Sequence, residues 1–213
     1  MKTIYIDFDG TLVNVYKRYT GILQSFIGHD YIINQKQYIY LKKKRIYDHE
    51  IVELLFDGYK IDLTKYIVYK SHFIETKEWL DLDQLIGNPI FYINKIKMAG
   101  FKVSLLTARN NKSNLISQLK NLNIDNLFDK IHVVGFKKNI NTKLELLKKI
   151  YLQGDIIIGD SPMEIDAAHT LNLEGYFVNS GLYNKSFINN SSGNFSDYQE
   201  IFDEILNSTS KTN

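Results

Sequence analysis

The stretch Ile4–Asn14, IYIDFDGTLVN, decides how this chain is read. The run Thr3–Ile6 is apolar but for one Thr, and it leads straight into Asp7, Phe8 and Asp9. In an extended chain, residues two apart point to the same side. Two carboxylates held that close repel, and one pKa must rise unless a cation sits between them. A buried strand that ends this way implies a metal, a proton donor, or both.

Four further apolar runs read as buried parallel strands: Lys102–Leu106, Lys130–Val134, Asp155–Ile158 and Tyr176–Val178. Helical patterns separate them. Pro89 opens a helix that runs to about Ala99 and stops at Gly100. Leu115, Ile116, Leu119 and Leu122 form one apolar face; Leu144, Leu147 and Ile150 form another; Ile165, Ala168 and Leu171 or Leu173 form a third. Strand and helix in alternation give an α/β fold, a parallel sheet covered on both faces.

Residues 16–88 break that rhythm. They are rich in Tyr, Ile and Lys, with candidate helices at Arg18–Ile27, Gln35–Arg45, His49–Leu55 and Leu63–Ile74 and no convincing strand. The segment falls between the first two core strands, on the sheet edge that carries Asp7. Ligands bind at that edge, so an inserted helical domain there would lie over the site as a lid. The expected division is a catalytic core of residues 1–15 and 89–213 and a helical cap of residues 16–88. Beyond a polar loop at Asn184–Gly193, Ser196 and Gln199 fit a capping box. Ile201, Phe202, Ile205 and Leu206 then mark a short helix, and the tail from Ser208 reads as frayed.

The chain has 213 residues, enough for one large domain or a core with an insertion. Its formal net charge of +2 is too small to argue for a nucleic acid polymer or an anionic membrane. There are no cysteines, so any metal must be held by oxygen or nitrogen. No secretion signal or membrane span is apparent, and the expected location is the cytoplasm. The basic run Lys42–Arg45 reads as the solvated face of a cap helix. Tyr31, Tyr38, Tyr40, Tyr47, Tyr59, Tyr66 and Tyr69 read mostly as cap core and surface. The five histidines show no ligand spacing.

Three other strand or helix ends complete the opening motif. SLLTARN places Thr107 just past the second core strand, NINTKLELLKKI opens a helix with Lys143, and DIIIGDSPMEIDAA places Asp160 after the fourth. In a parallel sheet these ends share one edge. DFDGT, a strand-end Thr, a Lys and GDxxxE together resemble the four motifs of the haloacid dehalogenase-like hydrolase superfamily. The resemblance spans roughly Lys2 to Leu173. It implies a Rossmann-like, five-stranded parallel sheet of order 5-4-1-2-3 with a helical cap inserted after the first strand.

The resemblance also implies roles. Mg²⁺ would be held by Asp7, Asp160 and the main-chain carbonyl of Asp9. Asp7 would attack phosphorus, giving an aspartyl-phosphate that water cleaves. Asp9 would protonate the leaving oxygen and then deprotonate that water, which needs a raised pKa. Thr107 and Lys143 would hold the phosphoryl oxygens, with main-chain N–H groups around Gly10 and Ala108 as further donors. Arg109 would reach a second anionic group of the substrate or form a surface ion pair. Glu164 stands where the family usually has Asp, so it holds the metal through water or orients Lys143, with Asp166 as a competing candidate. Lys137 and Lys138 compete with Lys143. The expected activity is a Mg²⁺-dependent phosphatase acting on a small phosphate ester: a phosphosugar, a nucleotide or a phospho-acid. A dehalogenase expels halide, needs no proton donor and typically lacks the second Asp. A phosphomutase on the same fold and a non-catalytic binding module are the alternatives.

Overall fold

The computed structural model describes residues 1–210. Along the chain, β1 (Thr3–Ile6) and β2 (Val13–Asn14) precede five helices: α1 (Tyr16–Ile27), α2 (Gln35–Lys43), α3 (Asp48–Leu55), α4 (Leu63–Phe73) and α5 (Lys77–Leu80). The chain then returns through β3 (Gln84–Leu85), α6 (Pro89–Met98), β4 (Lys102–Thr107), α7 (Lys112–Asn121) and β5 (Lys130–Val133). It continues through α8 (Thr142–Ile150), β6 (Ile156–Gly159), α9 (Pro162–Thr170), β7 (Glu174–Val178), β8 (Gly193–Phe195) and α10 (Tyr198–Ser210).

The main sheet is parallel throughout, in the order β5-β4-β1-β6-β7-β8. It has six strands where the sequence reading gives five. The extra strand, β8, follows the polar loop and pairs with β7 through the main chain of three residues, Gly-Asn-Phe, which carry no apolar pattern. Alternation along the central strands divides the core. Ile4, Ile6, Ile156 and Ile158 pack with α6, α7 and α10 on one face. Tyr5 and Ile157 pack with Leu147 of α8 and Ala167 and Ala168 of α9 on the other. Central strands buried on both sides are what an unbroken apolar run produces.

The insertion has an apolar centre of its own, built on Leu23, Ile27, Tyr38, Ile51, Val52 and Tyr66. Where the chain leaves and re-enters the core, β2 and β3 form a two-residue antiparallel ladder, Val13 with Leu85 and Asn14 with Gln84. Two-residue strands have no period to read, so the sequence gives no sign of this stem. The short α5 is missed for the same reason.

The end of the chain departs from expectation in its capping. The Asp197 side chain accepts from the N–H of Gln199, and Glu200 reaches back to the N–H of Ser196. Ser196 and Gln199 therefore do not form the box, and the Gln199 amide oxygen instead accepts from the N–H of Asn88. The helix continues to Ser210, past the point where fraying is expected. The rest of that expected tail, residues 211–213, lies outside the described residues.

Candidate active site

Asp7 follows β1, Thr107 ends β4 and Asp160 follows β6, and these three strands are neighbours. All three residues therefore meet at one edge, together with Lys143 in the first turn of α8. The Lys143 ammonium donates to Asp7 Oδ1 at 2.5 Å and to Glu164 Oε1. Lys137 and Lys138, in the loop before α8, are exposed. Asp166 is exposed as well, on the outer side of α9.

Asp7, Asp160 and Glu164 each bring a carboxylate oxygen within 4.8 Å of the others. Both oxygens of Glu164 are already engaged. One takes Lys143, and the other accepts from the N–H and hydroxyl of Ser161, closing the N-terminus of α9. Glu164 thus orients Lys143 and caps a helix, leaving Asp7 and Asp160 as the oxygen pair open to a cation.

The electrostatics describe the same need. Burial pushes the Asp7 carboxyl up to about 7; Lys143 opposes this, while Glu164 and Asp9 add to it. Burial raises Asp160 well above the carboxylate range, and Asp7 and Glu164 raise it further. Burial opposes the charge on Lys143, but the two carboxylates it touches hold it protonated. Three buried carboxylates gather here and the one ammonium touches only two of them, so the donor set fits a hard divalent cation such as Mg²⁺.

Two glycines keep this corner tight. Gly10 has φ +77°, and a Cβ there would lie 2.5 Å from Asp160 Oδ2. A Cβ at Gly181 would lie 1.7 Å from the same oxygen. Only a bare backbone can approach the carboxylate so closely, and at Gly10 the left-handed turn also calls for glycine. Gly181 is invisible from sequence because its partner is 21 positions away.

Asp9 behaves unlike its neighbour. Arg109 grips it with two bonds, Nε to Oδ2 and Nη2 to Oδ1, each 2.7 Å. Arg18 from α1 donates to Oδ1 as well. Burial raises the Asp9 pKa, but the two guanidinium groups outweigh it and hold the carboxyl well below its usual range. This corrects the expectation of a raised value, which considers only apolar neighbours and Asp7.

The grip closes into a ring. Arg18 Nε donates to Asp83 Oδ1 at 3.1 Å, Gln118 Nε2 to Asp83 Oδ2 at 2.9 Å, and Arg109 Nη1 to Gln118 Oε1 at 2.6 Å. Arg18, Asp83, Arg109 and Gln118 are all buried. Arg109 is therefore no surface ion pair, and its donors are taken by Asp9 and Gln118. Arg18, Asp83 and Gln118 escape sequence reasoning, because each looks like an ordinary polar residue on a helix or in a turn.

A cavity of about 1240 Å³ opens over these groups, between the core edge and the insertion. Thr107, Ala108 and Arg109 line it from the core, and Tyr19, Lys42, Arg45, Tyr47 and Lys70 from the insertion. The run Lys42–Arg45 is solvated only in part: Lys44 and Arg45 are exposed, while Lys42 and Lys43 are half-buried. Lys42 pairs with buried Asp48 at 3.0 Å, Lys43 donates to the carbonyl of Asn179 at 2.7 Å, and Arg45 stacks 4.6 Å from the ring centre of Phe187.

A parallel sheet of this kind, with an inserted helical layer and carboxylates gathered at its edge, defines a class of fold before it defines an activity. Residues 4–178 match the haloacid dehalogenase-like hydrolase family, and the chain belongs to it. Comparison with curated proteins gives no match. Among solved structures, one described as a predicted phosphatase from Clostridium acetobutylicum superposes with a TM-score of 0.70 at 15% identity, over 97% of this chain and 98% of that one. A protein described as a HAD-hydrolase, YfnB from Bacillus subtilis, bound to magnesium, gives 0.61 at 18%, over 97% and 98%. Protein Tyrosine Kinase A of Mycobacterium tuberculosis gives 0.70 at 15%, over 96% and 97%. At these identities the likeness is one of fold. No helix among the described residues is long and apolar enough to cross a membrane.

Proposed function

We propose that this protein is a phosphatase that hydrolyses a small phosphomonoester through an aspartyl-phosphate on Asp7. The observation that carries the reading is the Asp7–Lys143–Glu164 contact beside Asp160 in the lining of the cavity. An attacking carboxylate and a phosphate repel, and this centre is built to offset that repulsion.

Asp7 and Asp160 would hold Mg²⁺, with the main-chain carbonyl of Asp9 as a third ligand. When bound, the ion neutralises charge on the phosphoryl oxygens. Asp7 attacks phosphorus while the bond to the leaving oxygen breaks and its electron pair departs with that oxygen. Lys143 and the Thr107 hydroxyl hold the phosphoryl oxygens, with main-chain N–H groups near Gly10 and Ala108. Asp9 gives a proton to the leaving oxygen. It then takes one from the water that displaces Asp7 and regenerates the free carboxylate. With both guanidinium groups on it, Asp9 is in the form that accepts a proton. Donation requires it to part from at least one of them.

Residues 16–88 act as the cap over this centre, and the basic and aromatic side chains they add choose the leaving group. The likeness in fold to the Clostridium acetobutylicum and the magnesium-bound Bacillus subtilis structures supports the reading. The test is release of inorganic phosphate from a panel of phosphate esters with and without Mg²⁺. Metal-dependent release without a bisphosphate activator is expected, and also separates a phosphatase from a phosphomutase. No release from any ester by the folded protein would sink the proposal.

A further inference from the structure

We propose that the insertion's wall of the cavity is a subsite for a second anionic group, a carboxylate or a phosphate, on the leaving group of the ester. This inference rests on the phosphatase reading and names the class of substrate it implies.

The two walls of the cavity are charged differently. The core side carries Asp7, Asp9, Asp160 and Glu164 against three cations: Lys143 between Asp7 and Glu164, Arg109 on Asp9, and the exposed Lys112; Arg18 of the insertion is likewise spent on Asp9 and Asp83. The insertion side carries Lys42, Arg45 and Lys70. Lys42 and Lys70 both lean on one carboxylate, Asp48, at 3.0 and 2.7 Å. Asp48 can neutralise only one of them, so three cations against one anion leave two positive charges. Glu75 is the acidic residue that the insertion adds to the lining, and its carboxylate is taken by the N–H groups of Asn110 and Asn111 at 2.6–3.1 Å. The wall stays positive even when Glu75 is counted.

This wall is held in place. Lys43 and Arg45 tie the end of α2 to the carbonyls of Asn179 and Phe187 in the core, at 2.7 and 3.4 Å. Arg45 has φ +63°, in the left-handed region just past α2, where the Arg45 N–H bonds the Lys42 carbonyl and the Ile46 N–H bonds that of Leu41. Glycine is the ordinary residue at such a helix end. An arginine that accepts this backbone places its charge at the cavity against local preference, as residues with a task at a site do. An uncompensated charge in a concave, partly desolvated wall attracts an anion more strongly than it would in open water.

The test measures binding by calorimetry in Asp7→Asn protein, where no turnover is needed. Two matched pairs serve as probes: 2-phosphoglycolate against ethyl phosphate, and glucose 1,6-bisphosphate against glucose 1-phosphate. The first reads a carboxylate and the second a phosphate. In at least one pair, the member with the extra anion is expected to bind about tenfold tighter. Adding Arg45→Gln is expected to remove most of that preference, and so is Arg45→Gly. The ratio within a pair is the readout, so a general loss of affinity cancels. Arg45→Gly loses the bond to Phe187 but suits the left-handed backbone, and its melting temperature, measured alongside, should lie above the assay temperature so that the protein titrated is folded. Equal affinities within both pairs, or a preference that survives both Arg45 variants, overturn the subsite. Selective binding with no metal-dependent phosphate release by the unmutated protein overturns the phosphatase reading instead.

Discussion

Asp7 in the core and Asp48 in the insertion are both buried aspartates that touch lysine, yet their surroundings push them in opposite directions. Asp7 shares one ammonium with Glu164, with the Asp160 carboxylate beside them, and its carboxyl rises to about 7. Asp48 has two lysines and two tyrosine hydroxyls to itself, Tyr38 at 3.0 Å and Tyr66 at 2.6 Å. Burial raises its pKa, but Lys70 and Lys42 hold it well below the usual range. The lesson concerns stoichiometry rather than burial. A carboxylate with too few cations is waiting for one; a carboxylate with enough is a finished structural knot.

The largest expected effect tests the first half of that contrast. Asp7→Asn should lower turnover by roughly 10⁴-fold or more if the proposed attack by this carboxylate is the route taken. Its melting temperature, followed by circular dichroism, should hold or rise, because the mutation relieves crowded negative charge. Unchanged turnover would end the nucleophile assignment.

Metal removal comes next. EDTA should abolish phosphate release, and Mg²⁺ should restore it. Mg²⁺ should also raise the melting temperature of the unmutated protein but not of Asp160→Asn. An equal rise in both would place the ion elsewhere.

Arg18→Gln opens the ring around Asp9 and leaves Asp83 buried without its guanidinium. The expected loss of stability in urea titration is about 3 kcal/mol. Turnover should drop about 10–100-fold through misplacement of Asp9. Arg18→Lys should rescue neither fully, because a lysine cannot donate to Asp9, Asp83 and the Ile74 carbonyl from one rigid fork.

The smallest effect concerns Asp48. Asp48→Asn should cost about 1–3 kcal/mol. Because its folded pKa is depressed, the Asp48 carboxylate stabilises fully above the unfolded value of ~3.9, and the benefit fades as pH falls through the folded value. Asp7 has the opposite sign. Its folded pKa is raised, so without metal its burial costs stability as pH climbs from about 4 towards 7. Urea titrations across pH on Asp48→Asn and Asp7→Asn should therefore each flatten a slope of opposite direction. Slopes of the same direction would break the comparison.

Much of this was written in short range. DFDGT at the end of an apolar run, TAR past a second and GDSPME past a third announce a shared sheet edge, because a parallel sheet brings such ends together. Lys143 is separable from Lys137 and Lys138 only in three dimensions, where α8 aims it at Asp7. Arg18 was not legible at all. It lies on a helix bearing Lys17 and Tyr19, where an arginine reads as surface charge, and its partners are 9 and 65 positions distant. Gln118 and Asp83 hide in the same way. Strand β8 was missed because its pairing is made by the main chain, which leaves no side-chain pattern.

The ring through Arg18, Asp83, Gln118 and Arg109 belongs to neither layer alone. A chimaera that replaced residues 16–88 with the corresponding helices of a relative would carry away Arg18 and Asp83, leaving Arg109 alone on Asp9 and Gln118 without its Asp83 partner. Such an exchange would inherit a new pocket wall and lose the setting of Asp9 in the same stroke. Transplanting specificity in this protein therefore means cutting inside the insertion and keeping Arg18 and Asp83 with the host.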